Sequence, residues 1–198
     1  MRMISILCLC TLLFIMGCGF KPIQLRAGTR AGLTLSTFDR GDGNGTFTGT
    51  GGMAGLGMGT DFLGLLGLDM SYLYRSIVQT RVETAGKNIY KYDNLYFPLT
   101  FSLKGCMVPV VSPYLSFGLG LNVQLAGLHR YEYNSGTALE TDLGGGSASA
   151  FAILGLGAEV KLAKLRIVPE FMSNIQARED TTEKAIDYHI SVGVYYAP

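Results

Sequence analysis

The chain has 198 residues, with Lys+Arg at 16 and Asp+Glu at 15, so its net charge of +1 carries no basic surplus pointing to nucleic acid. Charged residues make up 16% and apolar residues 48%, which excludes a disordered chain. Glycine, at 27 residues, is roughly twice its usual ~7% share, Trp is absent, and no apolar run beyond the N-terminus reaches the ~18 residues of a spanning helix.

The N-terminus reads as an export signal. Met1-Arg2-Met3 is a short basic start, Ile4 to Met16 are mostly apolar, and Gly17-Cys18-Gly19 supplies small residues for cleavage. Residues 1–19 are therefore expected to be a signal peptide and 20–198 a single domain. Two processing routes fit. Cleavage near Gly19 would release a chain starting at about Phe20. Alternatively, Ile15-Met16-Gly17-Cys18 resembles a lipobox, in which Cys18 would be acylated and retained. Cys8 and Cys10 leave with the signal, and Cys106 reads as a lone thiol in a short turn, so no disulfide framework is expected.

From Gln24 onward the sequence alternates, which is the period of a strand. In the first segment Leu25, Ala27, Thr29, Ala31, Leu33 and Leu35 share one face, and Arg26, Gly28, Arg30, Gly32, Thr34 and Ser36 the other. The second sets Ala54, Leu56, Met58, Thr60 and Phe62 against Met53, Gly55, Gly57, Gly59 and Asp61. The third sets Leu66, Leu68, Met70, Tyr72 and Tyr74 against Gly67, Asp69, Ser71, Leu73 and Arg75. In the fourth, Leu95, Phe97, Leu99, Phe101 and Leu103 oppose Tyr96, Pro98, Thr100, Ser102 and Lys104. The fifth carries Leu115, Phe117, Leu119, Leu121, Val123 and Leu125 against Ser116, Gly118, Gly120, Asn122 and Gln124. Even positions from Ala148 to Val160 oppose Phe151, Ile153, Gly155, Gly157 and Glu159 in the sixth. The seventh places Leu165, Ile167, Pro169, Phe171 and Ile175 opposite Arg166, Val168, Glu170, Met172 and Asn174. The last places Tyr188, Ile190, Val192, Val194 and Tyr196 opposite Asp187, His189, Ser191, Gly193 and Tyr195.

The eight apolar faces contain neither a charge nor a glycine. The opposite faces hold the glycines together with Arg26, Arg30, Arg75, Lys104 and Arg166, and with Asp61, Asp69, Glu159, Glu170 and Asp187. Long polar connections over roughly 39–50, 79–93, 126–146 and 176–186 alternate with short ones near 63–65, 105–111 and 161–164. This predicts an all-β, eight-stranded antiparallel up-and-down transmembrane β-barrel with long external loops, short periplasmic turns and both termini periplasmic.

The same alternation fits a soluble lipocalin-like lipid carrier with its apolar face inward. A water-facing sheet carries many Lys, Glu and Thr rather than glycine in alternate places, whereas the narrow interior of an eight-stranded barrel needs small residues. An uncharged outer face suits lipid, where Lys or Arg at the midplane costs roughly 2–4 kcal/mol. Tyr72, Tyr74, Phe97 and Tyr188 near one rim, and Phe62 and Tyr196 near the other, suit aromatic girdles.

Residues 22–196 resemble the small porin-like outer-membrane β-barrels, the OmpA/OmpX-type and PorT-like domains. The resemblance rests on Tyr92-Asp93-Asn94-Leu95-Tyr96-Phe97-Pro98-Leu99, Ser112-Pro113-Tyr114-Leu115 leading to Gly118-Leu119-Gly120, Gly155-Leu156-Gly157-Ala158-Glu159 and Pro169-Glu170-Phe171. It implies an integral, monomeric protein of the cell outer membrane, in contact with lipid, lipopolysaccharide and the barrel-insertion machinery. The aromatic residue that commonly ends such chains is shifted inward here, with Ala197-Pro198 following Tyr195-Tyr196.

The chemistry expected is modest. Arg26, Arg30, Asp61, Asp69, Arg75, Lys104, Glu159, Arg166 and Glu170 are read as a lumen charge network, either pairing to plug the tube or filtering solutes in a small porin-like pore. The role expected is structural, adhesive or modestly pore-forming, without catalysis, cofactor or metal. An enzyme that modifies lipid A is the alternative, resting on His189 and Ser191 with Asp187 on the same strand face. Asp42-Gly43-Asn44-Gly45 lacks the distal Glu of a calcium loop, and Arg40-Gly41-Asp42 is too short to carry an adhesion assignment. Gly86-Lys87 is followed by Asn88 and forms no phosphate loop. Tyr90, Tyr92, Tyr131 and Tyr133 among charges make 79–93 and 126–146 the candidate sites for an extracellular ligand.

Overall fold

The computed structural model describes residues 23–39, 46–105, 110–176 and 184–198. Cys18, Cys106, the Arg40-Gly41-Asp42 stretch and the connection 177–183 lie outside the described residues.

Among the described residues there are nine strands: β1 Ile23–Asp39, β2 Thr46–Phe62, β3 Leu66–Glu83, β4 Gly86–Lys104, β5 Val111–Tyr133, β6 Ala138–Asp142, β7 Ala148–Leu162, β8 Leu165–Gln176 and β9 Lys184–Tyr196. Each of β1–β5 and β7–β9 pairs antiparallel with its sequence neighbour in the ring, and β9 returns to β1 with Ala27 opposite Tyr196 and Asp39 opposite Lys184. Eight strands thus close on themselves, and β6 hangs on β5 alone. Closure leaves no edge within the eight-stranded ring bare, the condition for placing backbone amides in hydrocarbon.

The alternation decides which side faces out. Leu33 and Leu119 are 67% and 68% exposed, whereas Arg30 and Glu170 are 5% and 7% exposed. The apolar side chains form the outer wall, so the carrier arrangement with an apolar interior is excluded. Closing so narrow a ring crowds the inner face. A Cβ added at Gly28 would run into the carbonyl oxygen of Val194, and one at Gly118 into that of Leu99. Glycine at these inward positions lets neighbouring backbones approach and the sheet curl.

At the end holding the C-terminus the β2–β3 and β7–β8 turns are tight. Leu63 and Gly64 have φ of 56° and 68°, and the Leu65 N–H donates to the Phe62 carbonyl at 3.1 Å. Positive φ at both central residues matches the right-handed twist of the flanking strands. From Leu66 to Tyr74, and from Tyr196 to Tyr188, the strands climb roughly 20 Å at ~3.3 Å per residue and ~40° tilt. Outward-facing aromatics mark the top of that span, with Tyr72 edge-on to the half-buried Phe97 at 5.0 Å and Phe171 stacked on Tyr188 at 6.0 Å.

Beyond this span the structure departs from the expected loops. β3 continues to Glu83 and β4 begins at Gly86, so only Thr84 and Ala85 connect them. β5 continues to Tyr133, and most of 79–93, with part of 126–146, is strand. Above the apolar belt the outer face meets water, so the alternation fades, while Val78, Thr80, Val82, Ile89, Tyr90 and Tyr92 retain strand preference. A bulge separates the Asp93–Ala126 pair from the Asn94–Gln124 pair, leaving Leu125 extra. Leu125 and Ala126 are both exposed, and beyond them Gly127, His129 and Tyr131 take the inward positions.

Candidate functional site: the lumen and its mouth

The inner face is layered along the axis. Nearest the turn end, Glu159 lies fully buried among three cations: Arg26 Nη1 at 2.7 Å, Arg166 Nε at 3.1 Å, and Lys104. Lys104 also reaches Asp61 at 2.6 Å, and Arg26 holds Asp69 at 2.6 Å. Three cations and three carboxylates therefore share one layer. Above it Arg30 pairs with Glu170, which also accepts from Ser116 Oγ at 3.0 Å. Arg75 stands apart near the loop end, bound to Asp187 at 2.7 Å and 5.1 Å from the centre of the Tyr96 ring.

Between these ionic layers lies an apolar plug that the charge pattern did not single out. Met53, Leu73, Tyr96, Ile153 and Met172 are each at most 4% exposed and pack into one cluster. Tyr96 stacks on His189 with ring centres 5.5 Å apart, and its hydroxyl accepts from Asn174 Nδ2 at 2.6 Å. A signal for this layer was present, since Met53, Leu73, Ile153 and Met172 are large apolar residues on the glycine-rich face.

Asp187, His189 and Ser191 share the inner face of β9, but each is engaged across the strand pair with β1 and not with the others. Ser36 Oγ donates to Asp187 at 2.6 Å, Thr34 Oγ1 meets His189 Nδ1 at 2.9 Å, and Arg30 Nε donates to Ser191 Oγ at 3.0 Å. The second ring nitrogen of His189 faces Asn174 Nδ2 at 2.8 Å, and His189 is fully buried. A hydrolytic relay needs the base to reach the hydroxyl, and here both imidazole nitrogens are taken by other groups. The lipid A enzyme arrangement is not formed by these residues.

At the loop end the lumen opens into a cavity of about 470 Å³. Its lining includes Ser36, Gln79, Asn94, Asn122, Ser149 and Gln176. Phe38, Tyr92 and Phe151 add aromatic surface, and Arg75 with Asp187 lies at the closed side. Asn122 Oδ1 is buried and has no hydrogen-bond partner among the described residues. Beside the cavity, Tyr90 stacks on His129 at 4.3 Å and meets Phe47 edge-on at 5.2 Å, and Asn88 Oδ1 contacts His129 Nε2 at 2.8 Å. Of the four tyrosines expected to carry a binding surface, Tyr92 lines the cavity, Tyr90 stands beside it, and Tyr131 and Tyr133 pack edge-on to each other at 4.7 Å farther up β5.

No family model matches the chain, and no curated protein matches it in sequence. Solved structures do. Neisserial surface protein A superposes with a TM-score of 0.52 at 14% identity, over 90% of this chain and 98% of that one. The attachment invasion locus protein Ail of Yersinia pestis gives 0.43 at 13% identity, over 86% and 98%. The outer membrane protein OprG of Pseudomonas aeruginosa gives 0.42 at 11% identity, over 89% and 95%. With its ring of eight antiparallel strands, its apolar outer wall and its charged, packed interior, the chain has the fold of the small outer-membrane transmembrane β-barrels.

Proposed function

We propose that this protein is a monomeric integral barrel of the outer membrane, structural or adhesive, which neither conducts ions nor performs catalysis. Its termini lie in the periplasm and its loop end faces the exterior, reached through export directed by residues 1–19. Lipid and lipopolysaccharide surround the wall, and the barrel-insertion machinery places it there. The observation that carries this reading is the plug. Met53, Leu73, Tyr96, Ile153 and Met172 fill the lumen between two ionic layers in which each charge has a partner. The polar groups of this layer, Tyr96, Asn174, His189 and Thr34, are bound to one another, so an ion crossing it would shed its hydration against side chains already engaged.

Reconstitution in planar bilayers tests the reading. The folded barrel, verified by its heat-modifiable gel mobility, is expected to leave the membrane silent. Steady unitary conductance steps that grow when Tyr96 is replaced by Ala would establish a pore instead.

A further inference from the structure

We propose that the loop-end cavity is a binding site for a neutral saccharide, taking one or two pyranose rings at the end of a glycan chain. At about 470 Å³ it falls within the ~300–1,000 Å³ typical of small-molecule sites. Its chemistry narrows the ligand. Ser36 is already engaged by Asp187 and Gln79, which leaves the carboxamides of Gln79, Asn94, Asn122 and Gln176 and the hydroxyl of Ser149 along the wall. Each of these groups can both donate and accept, which matches the hydroxyls of a sugar, since those do the same.

The alternatives fit less well. A lipid chain would bury the carboxamides without partners, which is costly. An anionic ligand would need an uncommitted cation, yet among the described lining residues the one Arg is bound to Asp187 at 2.7 Å and faces the Tyr96 and Phe151 rings. Phe38 and Tyr92 offer flat apolar surface for the C–H face of a pyranose ring. The cavity is closed below by the Arg75–Asp187 pair and by Phe151, so a chain enters by its end and not by threading. Its walls are mostly strand residues, so the polar groups are held in place before a ligand arrives.

The placement of this site on the cell exterior rests on the orientation proposed above; the site itself does not. The full-length barrel, purified in detergent and confirmed folded by heat modifiability, is applied to an array of neutral, sialylated and sulfated oligosaccharides. Hits are followed by saturation-transfer NMR with the methyl glycosides of glucose, galactose and N-acetylglucosamine. Saturable binding of a neutral glycan is expected, unchanged by added salt because no charge pairing is involved. Asn122→Leu and Gln79→Leu are each expected to weaken it about tenfold, the loss of roughly one hydrogen bond in a desolvated site. Tyr92→Leu should weaken it likewise, while all three variants keep the heat-modifiable form.

Absence of glycan binding by the folded barrel overturns the proposal. So do binding confined to sulfated or sialylated chains and abolished by salt, binding of peptides in place of glycans, and glycan binding that survives both Asn122→Leu and Gln79→Leu. Binding by the purified barrel but not by intact cells displaying it supports the sugar site and overturns the orientation.

Discussion

Glu159 is the residue whose replacement the lumen tolerates least. It is fully buried with Arg26, Lys104 and Arg166 around it, so Glu159→Gln leaves three cations facing two carboxylates. Removing one member of a buried ionic group costs about 3–5 kcal/mol because its partners stay charged and dry. Urea unfolding of the barrel in lipid vesicles should show a loss of about 3 kcal/mol, partly restored when Lys104→Met is added. An unchanged midpoint would mean that water already fills this layer. At this scale the sequence was informative about charge and poorly informative about shape. Arg30, Glu170 and their kind stood out because a charge on a strand needs a reason. Tyr96 and Asn174 did not, because an aromatic or an amide on an inner face looks ordinary until its neighbours across the tube are known. His189 and Ser191 kept an enzyme alternative open for a related reason: one strand face brings residues into line, but only the opposite strand, β1, shows what each one touches.

The strands were legible in the sequence where lipid reads them, and not beyond. Within the belt every second side chain meets hydrocarbon, so the alternation is sharp and all eight segments lie where the pattern places them. Above the belt, water on the outer face removes that selection, and the hydrogen-bonded ladder of β3, β4 and β5 runs on under a weakened pattern. The bulge after Gln124 was equally hidden, because one extra residue changes the parity of everything that follows without altering composition. Hydrogen exchange distinguishes ladder from loop. The amides of 78–83 and 86–92 that take part in the ladder should exchange slowly in the folded barrel, while those around Gly144 and Gly146, at φ of 65° and 96°, exchange quickly. Fast exchange throughout 78–92 would return this segment to the status of a loop.

For the molecule as a whole, exposure means different things at different heights. Leu119 is 68% exposed and Val82 is 79% exposed, yet the first faces hydrocarbon and the second faces water above it. Leu119→Arg is expected to cost roughly 2–4 kcal/mol in vesicles, and Val82→Arg close to nothing. Equal costs, measured by urea titration of folding into vesicles, would remove the lipid belt from this account. One further consequence concerns how the cylinder is sealed. Every neighbouring pair in the ring is adjacent in the ring's chain order except the seam between β1 and β9, where the two extremes of the barrel sequence must meet. Ring formation over such a distance carries an entropic cost that rises only logarithmically with length, yet falls entirely on this one join. The row formed by Asp187, His189 and Ser191 with Ser36, Thr34 and Arg30 supplies three interior stitches there, each worth roughly 1 kcal/mol beyond the backbone ladder. Side chains that imitate a hydrolase serve as the clasp of a hoop.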